Sequence, residues 1–226
     1  QDDVPQEVGA QAATTESDAV DIPRLPIAPI SSEYSTIFRT NIDETSQINS
    51  LHLKFLMLGV GSKTILMDGI NNPLRQNDIA RMGIDFKNFE VPVDDTLYKI
   101  QILDTPLSER FRDIVSSYFR GVMGISLVFD CSCERSFEDI DSFVTMISRH
   151  ESMQGVVIPK ILIGMNRIDL GREYAVSDSQ VQAKARELGA RYFEYSYGIG
   201  AMQGSLDIFS SFVEDIHRTR VSQNPS

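Results

Sequence analysis

The chain has 226 residues, 42% of them hydrophobic and 23% charged, with a formal net charge of −11 and a sequence pI near 4.7. That length suits one domain of ordinary size with a tail, and it can bury a substantial core. The acidic balance argues against a nucleic-acid partner, and no apolar run reaches the roughly 18–20 residues that span a bilayer.

Residues 1–46 differ from the rest. Nine carboxylates face only Arg24 and Arg39 here, which places −7 of the total charge in this stretch, and Pro5, Pro23, Pro26 and Pro29 punctuate it. Such a composition cannot bury enough apolar surface to offset chain entropy, so an acidic, disordered or extended arm is expected. Its apolar piece, Ile22, Leu25, Ile27 and Ile30, is suited to docking on a protein partner in extended form; a solvated tail is the plainer alternative. Residue 1 is Gln, and the N-terminus shows no basic or Arg-rich targeting stretch, so import through an upstream segment stays open.

From Leu51 onward strands and helices alternate. Leu53–Leu58 is an apolar run of strand length, and Thr64–Asp68 opens a helix. Asp85–Val93 and Leu97–Leu103 alternate around Asp94-Asp95, as a hairpin does. Pro92 puts the first of that pair at a sheet edge, because proline lacks the N–H a central strand needs. Gly124–Phe129 and Lys160–Gly164 are short continuous apolar runs of the kind found in central parallel strands. Phe137, Ile140, Val144 and Ile147 recur at helical spacing and predict one helix; Leu206, Phe209, Val213 and Ile216 predict another. Between them, Ser177 with Gln180 forms a capping box and Gly189 ends that helix. Arg191–Tyr195 is a further strand. Cys131 and Cys133 read as small residues at a strand end in a reducing compartment, since their spacing suits neither a mutual disulfide nor a metal site.

This alternation implies an α/β fold. The sheet is expected to be mostly parallel and six-stranded, with one antiparallel edge strand and helices on both faces. The domain is bounded at 47–220 and leaves a short tail, 221–226. In such sheets ligands bind where the C-terminal ends of the strands open. The first strand ends in Gly59-Val60-Gly61-Ser62-Lys63-Thr64. A Gly-rich turn entering a helix offers backbone N–H groups to phosphate, Lys63 a charge for the β- and γ-phosphates, and Thr64 a hydroxyl for Mg²⁺. Lys63 follows Gly59 by four positions, two short of the P-loop spacing, and Ser62 takes the place of the second Gly. A plain strand–helix turn is the competing reading. Other strands end in Asp104-Thr105-Pro106, Asp130, Asn166-Arg167-Ile168-Asp169 and Ser196-Tyr197. An Asn and an Asp three apart after a buried strand suit guanine, the Asp accepting from the base donors and the Asn reaching the opposite edge.

Taken together these residues resemble the Rab branch of the Ras-like small GTPases. Gly83–Lys87 resembles the end of switch I, Lys99–Thr105 the strand into switch II, and Glu109–Arg112 its continuation. Ser117–Ile125 and Asp130–Phe137 follow without a gap. The resemblance implies the small-GTPase (P-loop) fold, with GTP or GDP and Mg²⁺ as cofactors if the site is functional and possibly none if it is not. It assigns Gly59, Gly61, Ser62, Lys63, Thr64, Asp104, Asn166, Arg167, Asp169, Ser196 and Tyr197 to the nucleotide, and Thr64 and Asp104 to the metal. It also maps a partner-binding triad onto Phe86, Leu103 and Tyr118, with Leu103 replacing the usual Trp.

The departures from the pattern lie on the γ-phosphate side. Arg81 stands where the family has a Mg²⁺-binding Thr, and a guanidinium has no lone pair for a metal. Leu107 and Ser108 replace the mobile Gly and the Gln that orients the attacking water. No catalytic residue is therefore assigned, and little or no hydrolysis is expected. The resulting expectation is a pseudoGTPase that binds proteins or serves as a subunit of an assembly. The alternative is a working GTP-dependent Rab-type switch in vesicle or membrane traffic; a P-loop kinase or ATPase fits less well, because Asn166 and Asp169 favour guanine. Partners are expected to be proteins, at the triad or at the acidic arm. The C-terminus shows no prenylation Cys, so a cytoplasmic location is expected, peripheral to membranes only through a partner.

Overall fold

The computed structural model describes residues 41–42, 49–59, 63–68, 85–105, 118–166, 171–196 and 201–223. Six strands run along one sheet in the order β3 (Asp85–Val93), β4 (Thr96–Asp104), β2 (Asn49–Gly59), β5 (Gly124–Asp130), β6 (Lys160–Asn166), β7 (Arg191–Ser196). Every neighbour pair is parallel except β3–β4, whose antiparallel register sets Phe86 opposite Leu103 and Val93 opposite Thr96. Pro92 lies on the outer strand, as its missing N–H requires. A two-residue strand, β1 (Asn41–Ile42), pairs antiparallel with Asn49 and Ser50 of β2. That seventh strand adds to the six expected and comes from the end of the acidic arm.

Alternation along each strand splits the core into two layers. Leu51, Leu53, Phe55 and Met57 of β2, with Ile161, Ile163 and Met165 of β6, pack against α1 (Lys63–Asp68) and α5 (Ala201–Gln223). Leu56, Leu58, Ile125, Leu127, Phe129 and Leu162 fill the opposite layer with α3 (Ile140–Gln154) and α4 (Asp178–Leu188). Both faces are covered, so β5 is buried at all seven positions.

One expected helix is two. Phe137 belongs to α2 (Glu134–Glu138), and Ile140, Val144 and Ile147 belong to α3. The break is at Asp139, whose N–H bonds back to the carbonyls of Arg135 and Phe137. Phe137 still reaches the core, edge-on to Phe129 at 5.0 Å. The capping box at Ser177 and Gln180 is present, and Gly189 ends α4 at φ +59, a conformation that costs glycine little.

Two contacts brace the sheet at the end remote from the site. Lys54, a charge inside the apolar run of β2, donates from Nζ to the carbonyls of Tyr118 and Arg120 at 2.9 Å each. Its own carbonyl accepts from Met123 N at 2.8 Å, so one residue holds the turn that leads into β5. Burial of the Lys54 ammonium lowers its pKa. At the far end of β4, Tyr98 Oη lies 2.9 Å from His217 Nδ1, and His217 Nε2 lies 3.1 Å from the Asp94 carboxylate in the β3–β4 turn. That chain ties α5 to the hairpin, away from the ends of the strands where the site lies.

Candidate functional site

The expected residues that the structure describes gather at the C-terminal ends of β2, β4, β6 and β7. Gly61, Ser62, Arg167, Asp169 and Tyr197 lie outside the described residues, as do Arg81, Leu107 and Ser108.

On the phosphate side, Gly59 ends β2 at φ +136, and a Cβ there would stand 2.0 Å from the carbonyl oxygen of Val128. Close approach of β2 to β5 therefore demands glycine whether or not a phosphate binds. Lys63 opens α1 and is only 7% exposed. Its Nζ lies 2.5 Å from Asp104 Oδ1 at the end of β4 and donates to the Thr105 carbonyl at 2.7 Å. The contact with Asp104 is coulombic: that Oδ1 accepts no well-aligned hydrogen bond among the described residues. Thr105 is 1% exposed, and its hydroxyl likewise has no hydrogen-bond partner among them. Thr64 is exposed. Thr64 and Asp104 offer oxygen donors of the class Mg²⁺ prefers, but Asp104 is already paired with an ammonium. Among the described residues no group of three or more His, Cys, Asp or Glu is placed to hold a metal ion.

On the base side, Asn166 at the end of β6 stands in register with Ser196 at the end of β7. Asn166 Nδ2 donates to Glu194 Oε1 at 2.6 Å and to Tyr174 Oη at 2.7 Å. Tyr174 Oη donates in turn to Glu194 Oε1 at 2.6 Å, and Tyr192 Oη donates to Glu194 Oε2 at 3.3 Å. The hydrogen bond to Glu194 pushes the Tyr174 hydroxyl up to about 12, with burial and the carboxylate's charge adding to it. Desolvation also raises the Tyr192 hydroxyl.

The end of β5 lies between the two sides, and Cys131 Sγ lies 4.0 Å from Tyr192 Oη of the second. Asp130 Oδ1 accepts from Ser132 N and Oγ at 2.9 and 2.6 Å, closing the turn after the strand. The Cys131 carbonyl accepts from Ala175 N at 2.8 Å, which brings residues 171–177 across toward Asn166. Burial pushes the Cys131 thiol up to about 11, so it stays protonated and inert at neutral pH; both cysteines are free.

The expected triad lies on the layer with α3 and α4. Phe86 and Leu103 are directly opposed across β3 and β4, and Leu103 and Tyr118 both pack on that core. All three are half-buried.

The sequence pattern of the Ras family matches residues 54–218. A protein of Volvox carteri named GTP-binding protein yptV2 is 39% identical over 148 residues, covering 64% of this chain and 66% of that protein. Ras-related protein RABE1e of Arabidopsis thaliana is 37% identical over 168 residues, covering 73% and 74%. The chain belongs to the Ras family, on its Rab branch. Ras-related protein Rab-13 of Canis lupus familiaris is 34% identical over 169 residues, covering 73% and 80%.

The small-GTPase fold explains why the described residues converge: Gly59, Asp104, Asn166 and Ser196 end strands, Lys63 and Thr64 open the helix after one, and parallel strands end on the same side. Two residues that contact the candidate site escaped the sequence reading, Glu194 and Tyr174. Glu194 stood two residues before Ser196 on the same strand. Tyr174, in a loop, carried no signal at all.

Proposed function

We propose that this Rab-branch chain is a protein-binding module with little or no GTP hydrolysis, acting as a partner or as a subunit of a larger assembly. The observation that carries the reading is the Lys63–Asp104 pair. The ammonium suited to β- and γ-phosphates and the carboxylate suited to the Mg²⁺ shell neutralise one another, and the Thr105 carbonyl also accepts from the ammonium. A nucleotide has to displace that pair before it gains either group. The sequence supports the same reading through Arg81, Leu107 and Ser108, which replace the metal-binding Thr, the mobile Gly and the water-orienting Gln. Within this reading residues 1–46 form the arm, 47–220 the domain and 221–226 the tail. Protein partners meet either the face of Phe86, Leu103 and Tyr118 or the acidic arm. The place of work is the cytoplasm or, through a partner, a membrane surface; no described helix is long and apolar enough to cross a membrane.

The test is to purify the full chain without added nucleotide, denature it and quantify the guanine nucleotide released by chromatography. The expected result is far less than one nucleotide per chain. Near-stoichiometric GDP, with turnover of GTP in Mg²⁺, would overturn the reading.

A second reading, a working GTP-dependent switch, draws on the Asn166–Ser196 register at the base side and on relatives whose names include GTP-binding. It requires the GTP and GDP forms to differ, since equal affinity for two states shifts neither. Distinct protease sensitivity of the two forms is its expected signature.

A further inference from the structure

We propose that Glu194 and Tyr174 serve as an internal ligand for Asn166 and hold the base-reading edge of the crevice closed against guanine. The proposal rests on the low-nucleotide reading above and names the device that sustains it at the base end.

An Asn side chain has two N–H donors on Nδ2. Here Nδ2 contacts two acceptors, Glu194 Oε1 at 2.6 Å and Tyr174 Oη at 2.7 Å. Only the NH₂ end of the amide can face a carboxylate, so the orientation of Asn166 follows from Glu194. Guanine presents acceptors, N7 and O6, along one edge, and an Asn reads that edge by donating. The NH₂ end of Asn166 is drawn as a whole toward Glu194 and Tyr174, and it presents its donors to guanine only when these contacts break.

The internal ligand is itself held from behind. Tyr192 Oη donates to the second oxygen of Glu194, and its ring stacks on Phe129 with centroids 6.3 Å apart. The hydroxyl occupies room left by Gly164, where a Cβ would lie 2.6 Å from it. Tyr174 is set by its neighbours: Ala175 N is bonded to the Cys131 carbonyl, and Val176 is buried in the core. Tyr174 is nonetheless 48% exposed, so the closure is weak enough to open without unfolding the domain.

The experiment uses the full chain as wild type, Y174F and E194A, with folding checked by thermal melts. Affinities for GDP and 7-deaza-GDP are measured by equilibrium dialysis in Mg²⁺. The second nucleotide lacks N7, the acceptor that a freed Asn166 would meet. Wild type is expected to bind both alike. Each variant is expected to gain about three- to tenfold for GDP, the size of one hydrogen bond, and nothing for 7-deaza-GDP. Unchanged GDP affinity overturns the proposal, as does a gain that 7-deaza-GDP shares or no binding to any variant at millimolar nucleotide. Independently of nucleotide, the Asn166 side-chain amide signals in ¹⁵N-labelled protein should move in E194A; signals that stay in place also overturn it. Stoichiometric GDP in the purified wild type, with the variants still gaining, would sink the low-nucleotide reading and leave the internal ligand standing.

Discussion

At the ends of β2 and β4 the proposed phosphate side holds a buried charge pair; at the ends of β6 and β7 the proposed base side holds a network of hydrogen bonds close to solvent. The side chains of Lys63 and Asp104 are 9% and 15% exposed, whereas Tyr174 is nearly half exposed and Glu194 faces solvent. The chemistry differs accordingly. Breaking a buried pair strands the surviving charge away from water, which is costly. Exposed contacts exchange with water, and each is worth little to stability. The first cluster is therefore part of what holds the domain together, and the second contributes little to that.

The largest effect expected is at the buried pair. Lys63→Met leaves the Asp104 carboxylate without its counter-ion and should cost about 3–5 kcal/mol in urea unfolding, while the double variant with Asp104→Leu should recover most of it. A loss below about 1 kcal/mol for the single variant would erase the contrast between the two sides.

A smaller effect, of opposite sign, is expected next to it. Thr105→Val removes a buried hydroxyl that has no partner among the described residues while keeping the shape of the side chain. Stability should rise by about 1 kcal/mol. A fall would mean that the hydroxyl is serving something the fold alone does not supply.

Smaller still is the stability effect at the base side. Tyr174→Phe deletes one exposed donor and should change unfolding free energy by less than about 1 kcal/mol. A larger loss would make that network structural and blur the distinction.

The finest comparison is spectroscopic. An exposed tyrosine ordinarily ionises near pH 10. Tyr174 keeps its proton to about 12 because it donates to Glu194. In an absorbance titration of tyrosinate, Tyr174→Phe should remove a late-titrating group, and Glu194→Ala should bring one back toward 10. The sign for stability follows: above about pH 10 the unfolded chain loses this proton first, so the stabilisation is present below 10 and is lost as pH rises through 12. Titration of Tyr174 near 10 in the wild type would show that its bond to Glu194 is not held in solution.

Much of the fold was legible beforehand because its signals are local. Apolar runs in β2, β5 and β6, alternation around Asp94-Asp95, Pro92 at an edge and the Ser177–Gln180 box each depend on residues close in sequence. The break at Asp139 was not legible. Phe137, Ile140, Val144 and Ile147 keep a helical spacing across it, while α2 is also tied to the turn after β5 by contacts that no local pattern announces. There Ser136 Oγ donates to the carbonyl of Cys133 at 2.7 Å and contacts that of Asp130 at 3.1 Å, turning α2 back toward the strand. Of the site, Asp104, Asn166 and Ser196 were legible as strand-end residues and Lys63 as the start of the helix after one, but what each would touch was not.

The sequence by itself determined that this chain builds an α/β sheet with polar residues at its strand ends, because hydrophobic period acts over a few residues, and its motifs carried the resemblance to the Rab branch. Only the tertiary structure decided that Lys63 answers Asp104 and Thr105, and that Asn166 answers Glu194 and Tyr174. Thr105 follows Lys63 by 42 positions and Glu194 follows Asn166 by 28. Contacts of that range are set by which strands lie side by side and how deeply their ends are buried, and no local pattern of residues encodes either.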